Sequence, residues 1–514
     1  MISVKQVQPR SISSFLTKVR IKPFLIAEGV IVLALVVSLV FFLAQAWQIF
    51  HYPYETDLWE GLEYISSLRL VSAKSCYGWP SQIKPVQPFS PYPPFYIAVC
   101  ALIEFSIKFS CGSGAFGLWI GRLVSLVSAF GSAAIIFLVV WNKTKQFLPA
   151  LIASLFLFGV EPYHRHLDIF RADALGLFLS LLALWSVGNS SSRIRSLFAP
   201  FVVLATLTKQ PFLMFGLAGV LYTFGRNRRE AFFQAATIIT VLVLVSLGLN
   251  DLTSGAFLKD TIVYQSIVVS DTNKQSFSAA HSFLDYGGRL ITWSLFIQII
   301  AMGYTLRHWQ NRYQNNNQWL IAYPVILICV LTTLVHWGPA PERLLPAAPI
   351  YQILFGFGLA ELAVMAESVD LKRSIRLTII PLLTLTHLIC HPALTEGVLT
   401  SNQVRKQNEQ VSAICAQAHG PVLTELYPMA VLSVKPDAVM GLVTMKPRIS
   451  RFSQKWLTQL RIDIQERHYG LIVFSTGFGP APNFLPESIY NETKKYYQLA
   501  GKFPLARVEI YRRP

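Results

Sequence analysis

Charged side chains are scarce in this sequence: Asp, Glu, Lys and Arg make up 14% of 514 residues, against 53% apolar ones. A chain so poor in charge cannot cover an ordinary globule with polar groups. Its mean hydropathy of +0.46 makes lipid its principal outer solvent. Acidic residues are scarcer than basic ones, 27 against 44, which gives a net charge of +17. In a soluble protein that excess would suggest nucleic acid. Here the bases sit in short loops between apolar runs, which is how membrane topology is encoded, so nucleic acid is excluded as a partner. Cysteine is sparse as well, limited to Cys76, Cys100, Cys111, Cys329, Cys390 and Cys415. No CxxC pair or metal-ligand spacing occurs among them, so they read as structural thiols rather than a disulfide framework or a zinc site. Internal repeats and low-complexity segments are absent too.

What is present is a series of apolar runs near the spanning length of ~20 residues. They fall at 24–50, 115–141, 147–163, 172–188, 196–208, 210–225, 231–250, 288–306, 319–337, 344–364 and 377–393. The first is too long for a secretory signal core and reads as an uncleaved anchor. A further candidate, 92–110, carries Glu104 and Lys108 and opens on Pro93-Pro94. Its status follows from charge. The tail before residue 24 holds Lys5, Arg10, Lys18, Arg20 and Lys22 without an acid, so it is expected in the cytoplasm. If 92–110 does not span, Lys143/Lys145, Arg193/Arg195, Arg226/Arg228/Arg229, Arg307/Arg312 and Lys372/Arg373/Arg376 all join it there. If it spans, all five loops flip outward. The first solution is expected, with 92–110 a re-entrant or juxtamembrane element.

The expected organisation is a cytoplasmic tail 1–23, a helical membrane domain 24–393 of about eleven spans with a large first external loop 51–114, and a domain 394–514 outside the cytoplasm. That last segment alternates short apolar strands (422–425, 430–433, 471–475, 506–511) with helical stretches near 452–468 and 487–497, the texture of a small α/β domain.

Ionisable groups near membrane depth are costly and point to function. On the expected external face they cluster. Tyr54-Glu55-Thr56-Asp57-Leu58-Trp59-Glu60-Gly61 follows the first run, and Tyr92-Pro93-Pro94-Phe95-Tyr96 comes later in the same loop. His164-Arg165-His166-Leu167-Asp168-Ile169-Phe170-Arg171-Ala172-Asp173 joins the third and fourth runs. Lys209-Gln210-Pro211 separates the fifth and sixth, and Arg343 stands in Glu342-Arg343-Leu344-Leu345-Pro346 before the tenth. Each has a plainer reading. Asp57 and Glu60 also fit a solvated helix start, Asp173 a helix cap, and Lys209 and Arg343 interfacial anchors. Tyr92 and Tyr96 also fit an aromatic belt, and His164/His166 alone is a weak metal signal.

Taken together, these residues resemble the C-type glycosyltransferase superfamily, especially its protein O-mannosyltransferase and aminoarabinose transferase branch, over about residues 24–365. The resemblance implies a catalytic carboxylate in the first external loop, at Asp57 or Glu60. It implies a second carboxylate at Asp173 opening the fourth helix, a Lys at Lys209 and a basic residue at Arg343. The branch commonly carries an adjacent Asp-Glu, where this chain has Asp57-x-x-Glu60-Gly61.

The implied reaction moves a sugar from a polyprenyl phosphate to a glycan, lipid or protein acceptor outside the cytoplasm, with inversion by single displacement. A phosphate leaves readily, so the chemistry calls for a proton acceptor and for cations around the departing phosphate. Asp57 fits the first task, with Glu60 as alternate. Arg343, Lys209 and Arg171 fit the second, with Tyr92 and Tyr96 as cleft wall. No cofactor is called for, and a divalent metal stays open. Membrane lipids are the surrounding partners. Two rivals are a polysaccharide polymerase or ligase using polyprenyl-diphosphate donors, and a transporter. Against the transporter, the charges gather at one face rather than the midplane, and no inverted repeat is visible.

Overall fold

The computed structural model of the chain describes residues 23–54, 56, 58–77, 90, 92–111, 117–159, 167–263, 297–314, 317–337, 345–367, 402–424, 439–440, 452–475, 487–504 and 508–514. Over these the chain is chiefly helical. The helices are α1 (Pro23–His51), α2 (Leu58–Val71), α3 (Phe95–Cys111), α4 (Trp119–Thr144), α5 (Phe147–Gly159), α6 (Ala172–Val187), α7 (Phe198–Thr208), α8 (Leu213–Phe224), α9 (Arg228–Leu252), α10 (297–308), α11 (Gln318–Trp337) and α12 (Ala348–Glu367). Each apolar run from 24–50 to 344–364 contains one of them, while 377–393 lies outside the described residues. Four helices are long and apolar enough to cross a bilayer unaided, namely 32–51 of α1, α4, α9 and 348–365 of α12. With the shorter apolar helices α5, α6, α8 and α11, they make a multi-pass membrane protein.

The shared core draws Phe156, Leu177, Phe198, Phe215, Trp319 and Tyr351 from six helices. Helix α9 contributes little, and its Phe232, Ile239, Leu244 and Leu247 are exposed, as expected of a lipid-facing helix. Helix α7 has 11 residues and α8 has 12, so each rises only ~16–18 Å. They run antiparallel and close together. A Cβ on Gly219 of α8 would stand 2.3 Å from the Phe198 ring of α7, so only glycine admits this approach. Lys209-Gln210-Pro211 makes the turn between them: Lys209 leaves the helix with extended backbone, and Pro211 opens a 3₁₀ turn.

Side-chain contacts sort the loops into two ends. At one end Tyr222 donates to the Gln314 carbonyl (2.8 Å), Arg195 pairs with Glu230 (3.3 Å) and Lys143 donates to Asn317. At the other, Lys209 meets Asp173 (2.6 Å), and Gln210 donates to the Thr261 carbonyl (3.1 Å). The second end also holds α2 and α3. The segment 95–111 is a helix laid against α2, with Ser67 donating to the buried Glu104 (3.5 Å).

The C-terminal segment forms a five-stranded mixed sheet, order β2-β1-β3-β5-β4. Its strands are β1 (Val422–Thr424), β2 (Val439–Met440), β3 (Leu471–Ser475), β4 (Gln498–Phe503) and β5 (Val508–Arg512). β2, β1 and β3 are parallel, and β5 and β4 add antiparallel. Helices α13 (Asn402–Ala416), α14 (Phe452–Gln465) and α15 (Glu487–Tyr496) accompany it. Val411, Cys415, Leu471 and Ile510 share one apolar cluster with Tyr52 and Tyr54, and Asn408 donates to the Tyr52 hydroxyl (3.1 Å). The sheet domain therefore docks where α1 ends, beside α2.

Candidate active site

Arg122, in the first turn of α4, is 1% exposed and organises the segment that follows α1. Its guanidinium donates to the carbonyls of Ile49 (2.5 Å), Tyr52 (2.5 Å) and Tyr54 (2.8 Å). It also reaches both carboxylate oxygens of Glu60, each at 3.0 Å. A planar fork of five donors suits this task, and an ammonium could not span it. Glu60 further accepts from the backbone N–H of Thr56 (2.6 Å), the Thr56 hydroxyl (3.0 Å) and the N–H of Phe170 (2.7 Å). Burial pushes the Glu60 carboxyl up, but Arg122 and these hydrogen bonds outweigh it, and the group sits below its ordinary value. From sequence Glu60 is an alternate proton acceptor. In the structure both its oxygens are engaged, tying the start of α2 to Arg122, Thr56 and Phe170.

Phe170 reaches Glu60 because Gly121 makes room, since a Cβ there would fall 1.8 Å from the Phe170 ring. The next residues build the second part of the site. Arg171, with extended backbone, precedes α6, and Asp173 lies in its first turn. Asp173 pairs with Lys209 (2.6 Å) and with Arg171 (3.2 Å), all three side chains being at most 12% exposed. Lys209 also lies 4.9 Å above the ring of Tyr92. Four residues singled out from sequence, Tyr92, Arg171, Asp173 and Lys209, thus meet although they come from three separate stretches of chain.

A fifth member was not singled out. Glu63, one turn after Glu60 on α2, is 2% exposed, and neither carboxylate oxygen has a hydrogen-bond partner of ordinary geometry among the described residues. Burial pushes it up to about 8, Arg171 and Lys209 opposing and the Asp173 charge adding to the shift. Asp168 behaves alike beside Glu60. Buried and near that charge, it is pushed up to about 7. The signal for Glu63 lay in the stretch Leu58-Trp-Glu-Gly-Leu-Glu-Tyr64, where a second acid falls one helical turn after the first among apolar residues.

Tyr96 sits apart from the cluster. It is 1% exposed, and its hydroxyl contacts the Gly121 carbonyl (2.9 Å) and Ser125 (3.0 Å), so it fastens α3 to α4. Asp57, Arg343, His164 and His166 lie outside the described residues. Among the described residues no three His, Cys, Asp or Glu side chains converge as they would around a metal ion.

The site is therefore a buried, nearly balanced set of two cations and two carboxyls. With Glu63 protonated it carries a net positive charge, suited to an anion. It sits at the turn of the short α7–α8 pair, under Tyr92 of the segment between α2 and α3.

The sequence profile of glycosyltransferase family 87 matches residues 89–335, a span that contains Tyr92, Arg171, Asp173 and Lys209 but not the loop 49–60. No curated protein matches the chain by sequence. Among solved structures, the fold is similar to ArnT from Cupriavidus metallidurans bound to undecaprenyl phosphate. The TM-score is 0.58 at 13% identity, over 94% of this chain and 98% of that one. It is also similar to the archaeal oligosaccharyltransferase AglB from Archaeoglobus fulgidus, in complex with an inhibitory peptide and a dolichol-phosphate. There the TM-score is 0.53 at 11% identity, over 88% of this chain and 69% of that one.

Proposed function

We propose that this chain, a member of the C-type glycosyltransferase superfamily, moves a sugar from a polyprenyl-phosphate carrier to an acceptor hydroxyl or amine at the end of the bundle that bears α2 and α3. The observation that carries this reading is the triad Lys209–Asp173–Arg171 at 2.6 and 3.2 Å, buried beneath Tyr92. Asp173 holds two cations side by side, and a phosphate entering there meets both. The undecaprenyl phosphate of ArnT and the dolichol-phosphate of AglB support a phosphorylated lipid as that ligand.

In the proposed reaction the acceptor oxygen or nitrogen attacks the anomeric carbon. The bond from that carbon to the phosphate oxygen breaks, and the carrier leaves as a phosphate monoester. Arg171 and Lys209 balance the charge that grows on the departing oxygen, with Arg343 as a third proposed cation. The acceptor's proton passes to Asp57, which falls between Thr56 and Leu58 in the loop that Glu60 and Arg122 anchor. One displacement inverts the anomeric centre. By the excess of Lys and Arg on the opposite loops, the reaction faces away from the cytoplasm.

The test uses purified protein in lipid nanodiscs and radiolabelled sugars on polyprenyl monophosphate or diphosphate. The expected result is transfer from a monophosphate donor, a loss of ~10²–10⁴-fold in kcat for Asp57→Asn, and a raised donor KM for Lys209→Ala. Transfer from diphosphate donors alone would assign the chain to the polymerase or ligase class. Undiminished turnover in both variants would remove the proposed site.

A further inference from the structure

At the end of the bundle away from the triad, α4, α10, α11 and α12 line an open cavity of about 1000 Å³. The proposed transfer leaves it unused. Lys143 and Arg307 line it, with His308, Glu361, Trp185 and Gln318. Glu361 accepts from His308 (2.6 Å) and lies 3.6 Å from Arg307. Lys143 donates to the Asn317 amide oxygen and lies 4.8 Å from the centre of the Phe357 ring. The lining named here therefore carries two basic side chains, Lys143 and Arg307, against one carboxylate.

The surroundings say what such a lining suits. Ile299, Met302 and Leu306 of α10 are 51%, 49% and 71% exposed. Spaced by three and four residues, they form one apolar stripe that ends beside Arg307. On α12, Val364 and Met365 are exposed and line the cavity, and Arg307 touches the Met365 sulfur at 3.7 Å. A polar, net-cationic chamber at the head of an apolar stripe fits an amphiphile: a phosphate head inside, with chains along α10.

We propose that this cavity binds the headgroup of an anionic phospholipid. Lys143 and Arg307 hold its phosphodiester. Basic chambers between membrane helices on the positively charged side are suited to such heads. The phosphate chemistry alone would also fit free inorganic phosphate, but the stripe favours the lipid.

The test is native mass spectrometry of the full chain, purified from equimolar phosphatidylglycerol and phosphatidylcholine. The wild type is expected to retain phosphatidylglycerol preferentially. Lys143→Gln with Arg307→Gln should lower retention by about tenfold or more, the loss of a charge-assisted contact, with an unchanged melting temperature. Glu361→Gln keeps both cations and removes the carboxylate, so it should retain at least as much. Equal retention of the two lipids overturns the proposal, as does full retention in a folded double variant. Displacement of the lipid by millimolar inorganic phosphate would assign the chamber to free phosphate and overturn the lipid form. If the double variant does not fold, lipid preference in the wild type and in Glu361→Gln decides.

Discussion

Arg122 donates to three carbonyls and one carboxylate at once, tying the end of α1 and the turn after it to Glu60 of α2. Removing it would strand a fully buried Glu60, which commonly costs about 3–5 kcal/mol. Arg122→Ala is therefore expected to lower the melting temperature markedly and to abolish transfer. Arg122→Lys keeps the charge but not the fork and should rescue little of either. Thermal melts read alongside transfer assays check this; an unperturbed melt for Arg122→Ala would refute the clamp. Glu63 makes a different prediction. With its carboxyl pushed up to about 8, it is neutral below that pH and adds a negative charge beside Lys209 and Arg171 above it. A group raised on folding stabilises the native state fully below its ordinary value of 4.5, and that contribution is lost progressively as pH rises from there to about 8. Thermal stability of the wild type should therefore fall between about pH 4.5 and pH 8 and level off above. Donor binding should weaken as pH passes about 8, while Glu63→Gln, neutral throughout, keeps both level. A pH series of donor KM and melting temperature for the two proteins measures it. Asp173 and Lys209 stood out in the sequence because each is an ionisable residue where one apolar run gives way to the next. Glu63 was not, because burial, not residue type, sets its state.

The short pair α7–α8 determines how deep Lys209 sits. Gly219 lets the two helices touch at Phe198, so Gly219→Leu should force them apart and move the turn that carries Lys209. The expected outcome is a protein that still inserts and folds but shows a strongly raised donor KM; normal donor affinity in a folded variant would count against this coupling. Periodicity revealed the long helices well, since apolar length is an unmistakable signal in α4 or α9. It also separated α7 from α8, because Pro211 cannot continue a helix. It did not reveal helix α13, whose Arg405, Lys406 and Glu409 give a polar face, with Val404, Asn408, Val411 and Cys415 buried. Strand β4 was hidden for a related reason. Its Gln498-Leu-Ala-Gly-Lys-Phe503 is exposed along most of its length at the sheet edge, so no alternation marks it.

Across the whole molecule, Lys143, Arg195, Arg226 and Arg312 lie at one end, and α2, α3, the triad and the sheet domain at the other. The sequence separated these two groups by counting charges in loops, which needs no knowledge of packing. It could not show that the sheet domain leans on Tyr52 and Tyr54. We predict that a single cysteine at position 228 is labelled by a membrane-impermeant thiol reagent only after the cell is opened, whereas one at position 409 is labelled in spheroplasts. The reverse pattern would invert the proposed orientation. The shortness of α8 has one more consequence. Its outward stripe of Leu213, Leu217, Leu221 and Phe224 spans 12 residues between Lys209 and Arg226, ~18 Å of rise against a hydrocarbon layer of ~30 Å. A span this short is expected to thin the bilayer beside it. Under the proposed function such thinning would bring the membrane surface toward Lys209, letting a carrier's phosphate reach the triad while its long tail stays among its own kind.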